Sequence, residues 1–503
     1  AEILYRSIHY YVKKDYEMEI KVVDRVKIYN KDKADDFLNQ EIGLYESESG
    51  REEKISNLKA YAYNLENDKM VATKVEKDSK FKSTENKRYN IIKFTFPNVK
   101  DGSVVEYSYT VLSPFIHEMP KIMIEENVPI IYSEYVFDAP KELGYNINYQ
   151  GSVLPKYRVV EEKMLYGADY RTYRFGYENI KAFLEENYVK NNDNYRTSLR
   201  AELNSTYIGN EFKSYSLSWE DVRKEMMKDE EFGGALKKDN LVRDLLPNEI
   251  KQIPTELKKA EAILKFVQKN YTWDKKRGAF VDEGIKNLIN TKVGNAAEIN
   301  ILLILLLRNA GIKANPVVLS TVDRGMLTNY LPSITSLNYL IACFDSKDKL
   351  YILDATSKLS SINVIPPRAV NYIGYIFSEE KADQINLVNP EKSNTYLEVN
   401  AQLEKDATFA GHFTDRDTKI YAMLNSEEYD KDKEGYQKDN YKERYKFPLS
   451  NLKSGLLNDN EFETSFDFTS DTFVDGVGGK FIFNPLLFLY SKNHDFNQTE
   501  ERR

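Results

Sequence analysis

The sequence has one cysteine, Cys343, and four histidines among its 503 residues. A single cysteine excludes an intramolecular disulfide and any metal site built from several cysteines. His9, His117, His412 and His494 are too far apart in sequence to form a local ligand motif, so no metal or other cofactor is expected. Positive charge is not in excess: 71 Lys and Arg against 79 Asp and Glu give a net charge of −8. The basic surface that nucleic-acid backbones require is therefore missing, and nucleic acid is excluded as a partner. The longest pure apolar run, residues 301–307, is far short of the ~20 residues that span a bilayer, so no transmembrane segment is expected. Nucleophile-elbow, His-Glu-x-x-His and phosphate-loop motifs are absent, and Gly476-Val477-Gly478-Gly479-Lys480 reads as a turn.

What is present is a folded chain, 41% hydrophobic and 30% charged. At roughly 150 residues per domain the length predicts about three domains. The 37 tyrosines and 25 phenylalanines against 2 tryptophans favour pleated sheet. Up to about residue 200 the periodicity is two: Tyr16, Met18, Ile20, Val22, Val26 and Ile28 alternate with charged residues. Phe94 and Phe96, the turn Asp101-Gly102, and Val105, Tyr107 and Tyr109 predict a hairpin. With further alternation at 145–149 and 173–177, this region predicts a β-sandwich. Residues 185–200, rich in Asn, Tyr and charge, read as a linker or loop.

From Ser218 the period becomes helical. Helices are expected after Ser218, after Pro254 and over 297–309, the last apolar nearly all round and stopped by Gly311. Strands follow at 316–320, 337–344 and 350–353. Beyond about 390 the alternation of Phe462, Phe466 and Phe468 predicts a third, β-rich domain, and the charged stretch 427–446 reads as an exposed helix or loop. The expected architecture is multidomain α+β: a β-sandwich over 1–205, an α/β domain over 206–388, and a C-terminal β domain over 389–503.

Three segments carry the chemistry: Gly294-Asn295-Ala296-Ala297-Glu298, Leu337-Asn338-Tyr339-Leu340-Ile341 and Tyr351-Ile352-Leu353-Asp354-Ala355-Thr356. They resemble the transglutaminase-like superfamily, relatives of papain-type cysteine proteases. More narrowly, the chain resembles a bacterial family in which a β-rich domain of unknown function precedes a transglutaminase-like domain. The hairpin segments Phe94–Val99 and Gly102–Tyr107 belong to that wider likeness. The resemblance implies a Cys at a helix start, a His on a strand and an Asp on the next strand. A helix N-terminus favours the thiolate, the His takes the thiol proton and the Asp orients the His.

Mapped residue by residue, the Cys position is Ala296, the His position is Tyr339, and Asp354 alone is kept. Losing two members together reads as native degeneracy, not as the removal of one group. A loop of Asp345-Ser346-Lys347-Asp348 is expected to set Phe344 opposite Lys349 and Tyr339 opposite Asp354, ~5 Å apart. Cys343 shares the face of Tyr339 but lies ~13 Å along the strand, and reads as a small buried hydrophobe. Asn295, Glu298, Trp273, Tyr339 and Asp354 are the candidate binding residues. Glu298 is expected either to contact ligand in the cleft or to support the first helical turn, and Trp273 either to line the cleft or to pack in the core.

The resemblance thus implies a non-catalytic binding or scaffolding protein of the bacterial cell envelope, periplasmic after loss of a leader, with a peptide, protein or glycan as partner. It also implies that the chain, which stops at residue 503, belongs to a longer protein. Two rival readings stand beside it: a cysteine-peptidase or transglutaminase-related hydrolase using other residues, and a glycan-binding module built on the aromatic β domains.

Overall fold

The computed structural model describes all residues except 48–49, 87–88, 117–118, 215–217, 329–331, 389–390, 459 and 490–503. His117, His494 and the terminal residues 500–503 lie outside the described residues. The fold is multidomain α+β, and the chain divides into two compact units, residues 1–216 and 217–502. Among the described residues no helix is long and apolar enough to cross a membrane.

The first unit is built on an eight-stranded sheet. Its strands run in the order Tyr157–Leu165, Ala168–Ile180, Ile130–Pro140, Glu2–Val12, Met18–Lys27, Val104–Ser113, Lys54–Glu66 and Lys69–Lys74. The Glu2–Val12 and Ile130–Pro140 pair is parallel and its other neighbours antiparallel. Met18–Lys27 shows the predicted alternation, although the inward stripe includes a charge, Asp24, neutralised by Arg6 at 2.8 Å. Two smaller sheets pack on the large one, as the shared cores show: Ile42, Phe94 and Phe96 join Val26, Ala62 and Val105, while Leu143, Tyr145 and Leu203 join Ile20, Val22 and Phe137.

One expectation for this unit needs correction. The strands around Phe94 and Tyr107 do not form a hairpin: Tyr89–Thr95 pairs within a three-stranded sheet, and Val104–Ser113 lies in the eight-stranded one. The intervening Pro-Asn-Val, with Asn98 at φ +54, carries the chain from one sheet to the other. Residues 185–200, read as a linker or loop, are largely loop, and that loop is packed into the unit. Arg196 is buried and binds Asp193, Glu185 and the Glu125 carbonyl, and the strand Ser198–Ile208 runs through residue 205.

The second unit holds a five-stranded antiparallel sheet in the order Lys349–Leu353, Tyr339–Ser346, Ala314–Leu319, Tyr372–Phe377 and Ala382–Leu387. Both of its faces are covered. Leu340, Ala342 and Phe344 pack with the helix Ala296–Asn309, while Ile341 and Cys343 pack on the other side with Tyr339. A strand buried on both faces reads as a continuous apolar run, which is what 339–344 shows. Ser218 caps the helix Trp219–Lys228 through a capping box with Asp221, and Glu256–Asn270 follows Pro254 as expected.

A second sheet, Thr395–Leu403, Phe409–Thr418, Glu461–Ser470 and Leu449–Asn458, closes the unit. The charged stretch that looked solvated is helical and only its charges face water. Tyr436 and Tyr441 are buried against Phe413, Phe462 and Phe466. The helix Ile420–Lys431 also places Met423 against Leu359 and Val364 of the preceding sheet region.

Candidate functional site

The buried helix is held at its start by two side chains of its own first turn. Asn295 Oδ1 accepts the Glu298 amide at 2.8 Å, and Glu298 Oε2 accepts the Asn295 amide at 2.8 Å. The other Glu298 oxygen accepts the amides of Asp282, Glu283 and Gly284 at 3.2, 2.7 and 2.7 Å. Gly294 is required for this arrangement, because a Cβ there would stand 2.7 Å from Glu298 Oε2 and 2.9 Å from Leu288. Asn295 Nδ2 donates to the Phe280 carbonyl. Both candidate binding residues are therefore buried structural caps, and neither offers a free group to a ligand. Of the two roles weighed for Glu298, supporting the helix is the one its contacts serve.

Ala296 is the first helical residue and has 0% exposure. Its amide donates to the Lys276 carbonyl, which also accepts the Trp273 indole N–H at 2.7 Å. Trp273 is half-buried and stacks against Arg368, whose guanidinium carbon lies 4.2 Å from the ring centre.

The hairpin register differs from the expected one by two residues: Ser346 pairs with Lys349, Phe344 with Tyr351 and Cys343 with Ile352. The turn is Lys347-Asp348 alone, at φ +50 and +60, the left-handed pair that a tight two-residue hairpin requires. A slip of two preserves the face of every side chain, because strand periodicity is two. The anticipated contact survives for that reason. Tyr339 Oη donates to Asp354 Oδ2 at 3.0 Å and lies 2.8 Å from Thr356 Oγ1.

Around this pair a closed polar network forms. Asn300, one turn along the helix from Ala296, donates to the Leu340 carbonyl at 2.8 Å and to Asp354 Oδ1 at 3.0 Å. Its side-chain oxygen Oδ1 accepts the Ala355 amide at 2.9 Å. Thr356 adds its amide and hydroxyl to Asp354 Oδ1 at 2.9 and 2.7 Å. Arg368 donates through Nε to Tyr339 Oη at 3.1 Å and through Nη2 to Thr356 Oγ1 at 2.6 Å. Tyr339, Asp354 and Asn300 all have 0% exposure.

The chemistry open to this network is limited. Burial, then the Asp354 carboxylate, push the Tyr339 phenol far above its ordinary value, so it stays protonated and is no base. Burial lowers the Arg368 guanidinium, but Tyr339 and Asp354 outweigh it and leave a firmly held cation. Burial pushes the Cys343 thiol up to about 12, helped by Asp345, which keeps it a thiol at neutral pH. Among the described residues no group of three His, Cys, Asp or Glu side chains could hold a metal ion.

Residues 14–184 match the family described as a Domain of Unknown Function (DUF3857), and residues 244–341 match the transglutaminase-like superfamily. The chain joins a DUF3857 domain to a transglutaminase-like domain. Its fold is similar to a crystal structure described as "a putative protease" from Parabacteroides distasonis ATCC 8503, with a TM-score of 0.54 over 97% of this chain and 95% of that one. At 11% identity that likeness is one of fold. No curated protein matches the chain.

The transglutaminase-like match includes Ala296 and Tyr339 and ends before Asp354, Thr356 and Arg368. Within that domain, Tyr339 and Asp354 come together, Ala296 joins Tyr339 in one packed cluster, and Trp273 borders both that cluster and the main core. Sequence reasoning missed the roles of Asn300, Thr356 and Arg368. Asn300 had a signal, as the one polar side chain in an apolar run from Ile299 to Leu307, and a buried amide must find partners. Arg368, next to Pro366-Pro367, had none.

Proposed function

We propose that the transglutaminase-like domain is a pseudoenzyme whose fold persists as a binding or scaffolding module. On the residue mapping, the nucleophile position is Ala296 and the base position is Tyr339. The observation that carries the reading is the network around Tyr339: Asp354, Thr356 and Arg368 surround its hydroxyl, and Ala296, in the same packed cluster, brings no group that reacts. A cysteine mechanism needs an exposed, activatable thiol next to a neutral base. The chain's sole cysteine lies four residues along the strand from Tyr339 and is buried, and burial holds it as a thiol. Placement in the bacterial cell envelope rests on the family resemblance, and the division into three domains rests on chain length and the changes of periodicity.

The test restores the missing groups. Ala296→Cys alone should alkylate slowly with iodoacetamide near neutral pH, because Tyr339 cannot take the thiol proton. Ala296→Cys with Tyr339→His should alkylate faster, since Asp354 remains within reach of the strand position. Equal rates for the two variants from about pH 5 to 9, a range bracketing ordinary His and Cys values, would refute the mapping.

A further inference from the structure

Four cations border the vestigial site, and they are not equivalent. Lys276 is paired with Asp274 and Asp282 at 3.7 and 3.4 Å, and Arg277 is paired with Asp323. Lys275, held at φ +72, makes no ion pair among the described residues, and its ammonium sits 5.1 Å from the Trp273 ring centre. Arg368 has one edge fixed in the network, through Nε on Tyr339 and Nη2 on Thr356. Its remaining nitrogen, Nη1, meets a single carboxylate, Glu427 of the helix Ile420–Lys431, at 3.3 Å. The two partners differ sharply: the Arg368 side chain is 12% exposed and that of Glu427 is 50% exposed. A rigid guanidinium on an indole whose own N–H is fixed to the Lys276 carbonyl is a preorganised carboxylate receptor. The loosely held Glu427 stands where an incoming carboxylate would bind.

We infer that the Arg368–Trp273–Lys275 corner binds a carboxylate-bearing peptide, and that Glu427 occupies the same donor until such a ligand displaces it. The inference rests on the reading of this domain as a binding module and names the ligand class of that site. Arg368 supplies a charge-assisted hydrogen bond and Lys275 a second positive charge, and Trp273 carries both cations over its ring. Removing Glu427 frees the donor. With Glu427 half exposed, solvent screens the pair to about the ~0.2–1 kcal/mol of a surface ion pair, so the gain in affinity is up to about fivefold.

The test is calorimetric titration of the full chain with N-acetyl-triglutamate, with the N-acetyl-triglutamine amide as control. The acidic peptide should bind and the amide should not. Glu427→Gln should tighten binding severalfold, and Arg368→Gln, checked for folding by circular dichroism, should abolish it. Lys275→Gln touches none of the buried network and should weaken binding even if the Arg368 variant does not fold. Equal binding of the two peptides, no tightening in Glu427→Gln, or an unchanged affinity in Lys275→Gln would overturn the inference. Thiol-dependent turnover by the native chain would instead overturn the pseudoenzyme reading and leave a positive binding result standing.

Discussion

Replacing Asn300 by leucine tests the network at the point where helix and strand meet. Leucine is similar in volume, so packing is nearly conserved while three hydrogen bonds are lost. The Leu340 carbonyl and the Ala355 amide are left buried without those partners, and Asp354 Oδ1 keeps only the Thr356 donors. Each unsatisfied buried group costs ~1–3 kcal/mol. Two such groups cost ~2–6 kcal/mol and burying the leucine side chain returns about 1.5–3 kcal/mol, so the net loss is about 2 kcal/mol. Both tryptophans, Trp219 and Trp273, lie in the second unit, so fluorescence during urea unfolding reports on it directly. The Ala355 amide, which donates to Asn300, should also exchange its hydrogen faster in the variant. A loss below about 1 kcal/mol with unchanged Ala355 exchange would refute the claim that Asn300 ties the helix to Asp354.

Two further outcomes follow from the same physics. Burial and the neighbouring Asp417 push the Asp415 carboxyl up to about 6, against an unfolded value of about 3.9, so the native state binds more protons between those limits. Stability should therefore fall as pH rises from about 4 to 6, and Asp415→Asn should be more stable than the parent at pH 7 and show a flatter pH profile by thermal melting. Changing Lys347-Asp348 to Asn-Gly supplies residues that favour left-handed φ at the tight turn and should raise the unfolding free energy by ~0.5–1 kcal/mol, read as a higher unfolding midpoint; a lower midpoint would contradict the two-residue turn.

How far the sequence could be read depended on the range of the interaction. The buried helix was legible because its stop at Gly311 and its apolar run are local, and its Asn295–Glu298 cap lies in the motif that singled it out. The doubly buried strand at 339–344 was legible for the same reason. The hairpin register was misjudged because Lys347-Asp348 is not a turn pair that advertises φ above zero, yet the two-residue error kept Tyr339 facing Asp354. The false hairpin around Phe94 and Tyr107 shows the opposite limit: two adjacent strands with a turn between them joined different sheets, and partner choice is a property of the whole sandwich. Arg368 reaches Tyr339 across 29 residues and Glu427 across 59, and no local pattern encodes either contact. The tyrosines at 436 and 441 were hidden in a charged stretch whose helical geometry turns them inward.

On the proposed pseudoenzyme reading, this transglutaminase-like domain carries out no cysteine chemistry. The most direct measurement is turnover of the unmodified protein on a panel of peptide amide and isopeptide substrates, run beside Cys343→Ala and beside protein pretreated with iodoacetamide. All three preparations should stay at the level of the uncatalysed reaction. Hydrolysis or acyl transfer by the native chain that disappears on iodoacetamide treatment or in the Cys343→Ala variant would contradict it.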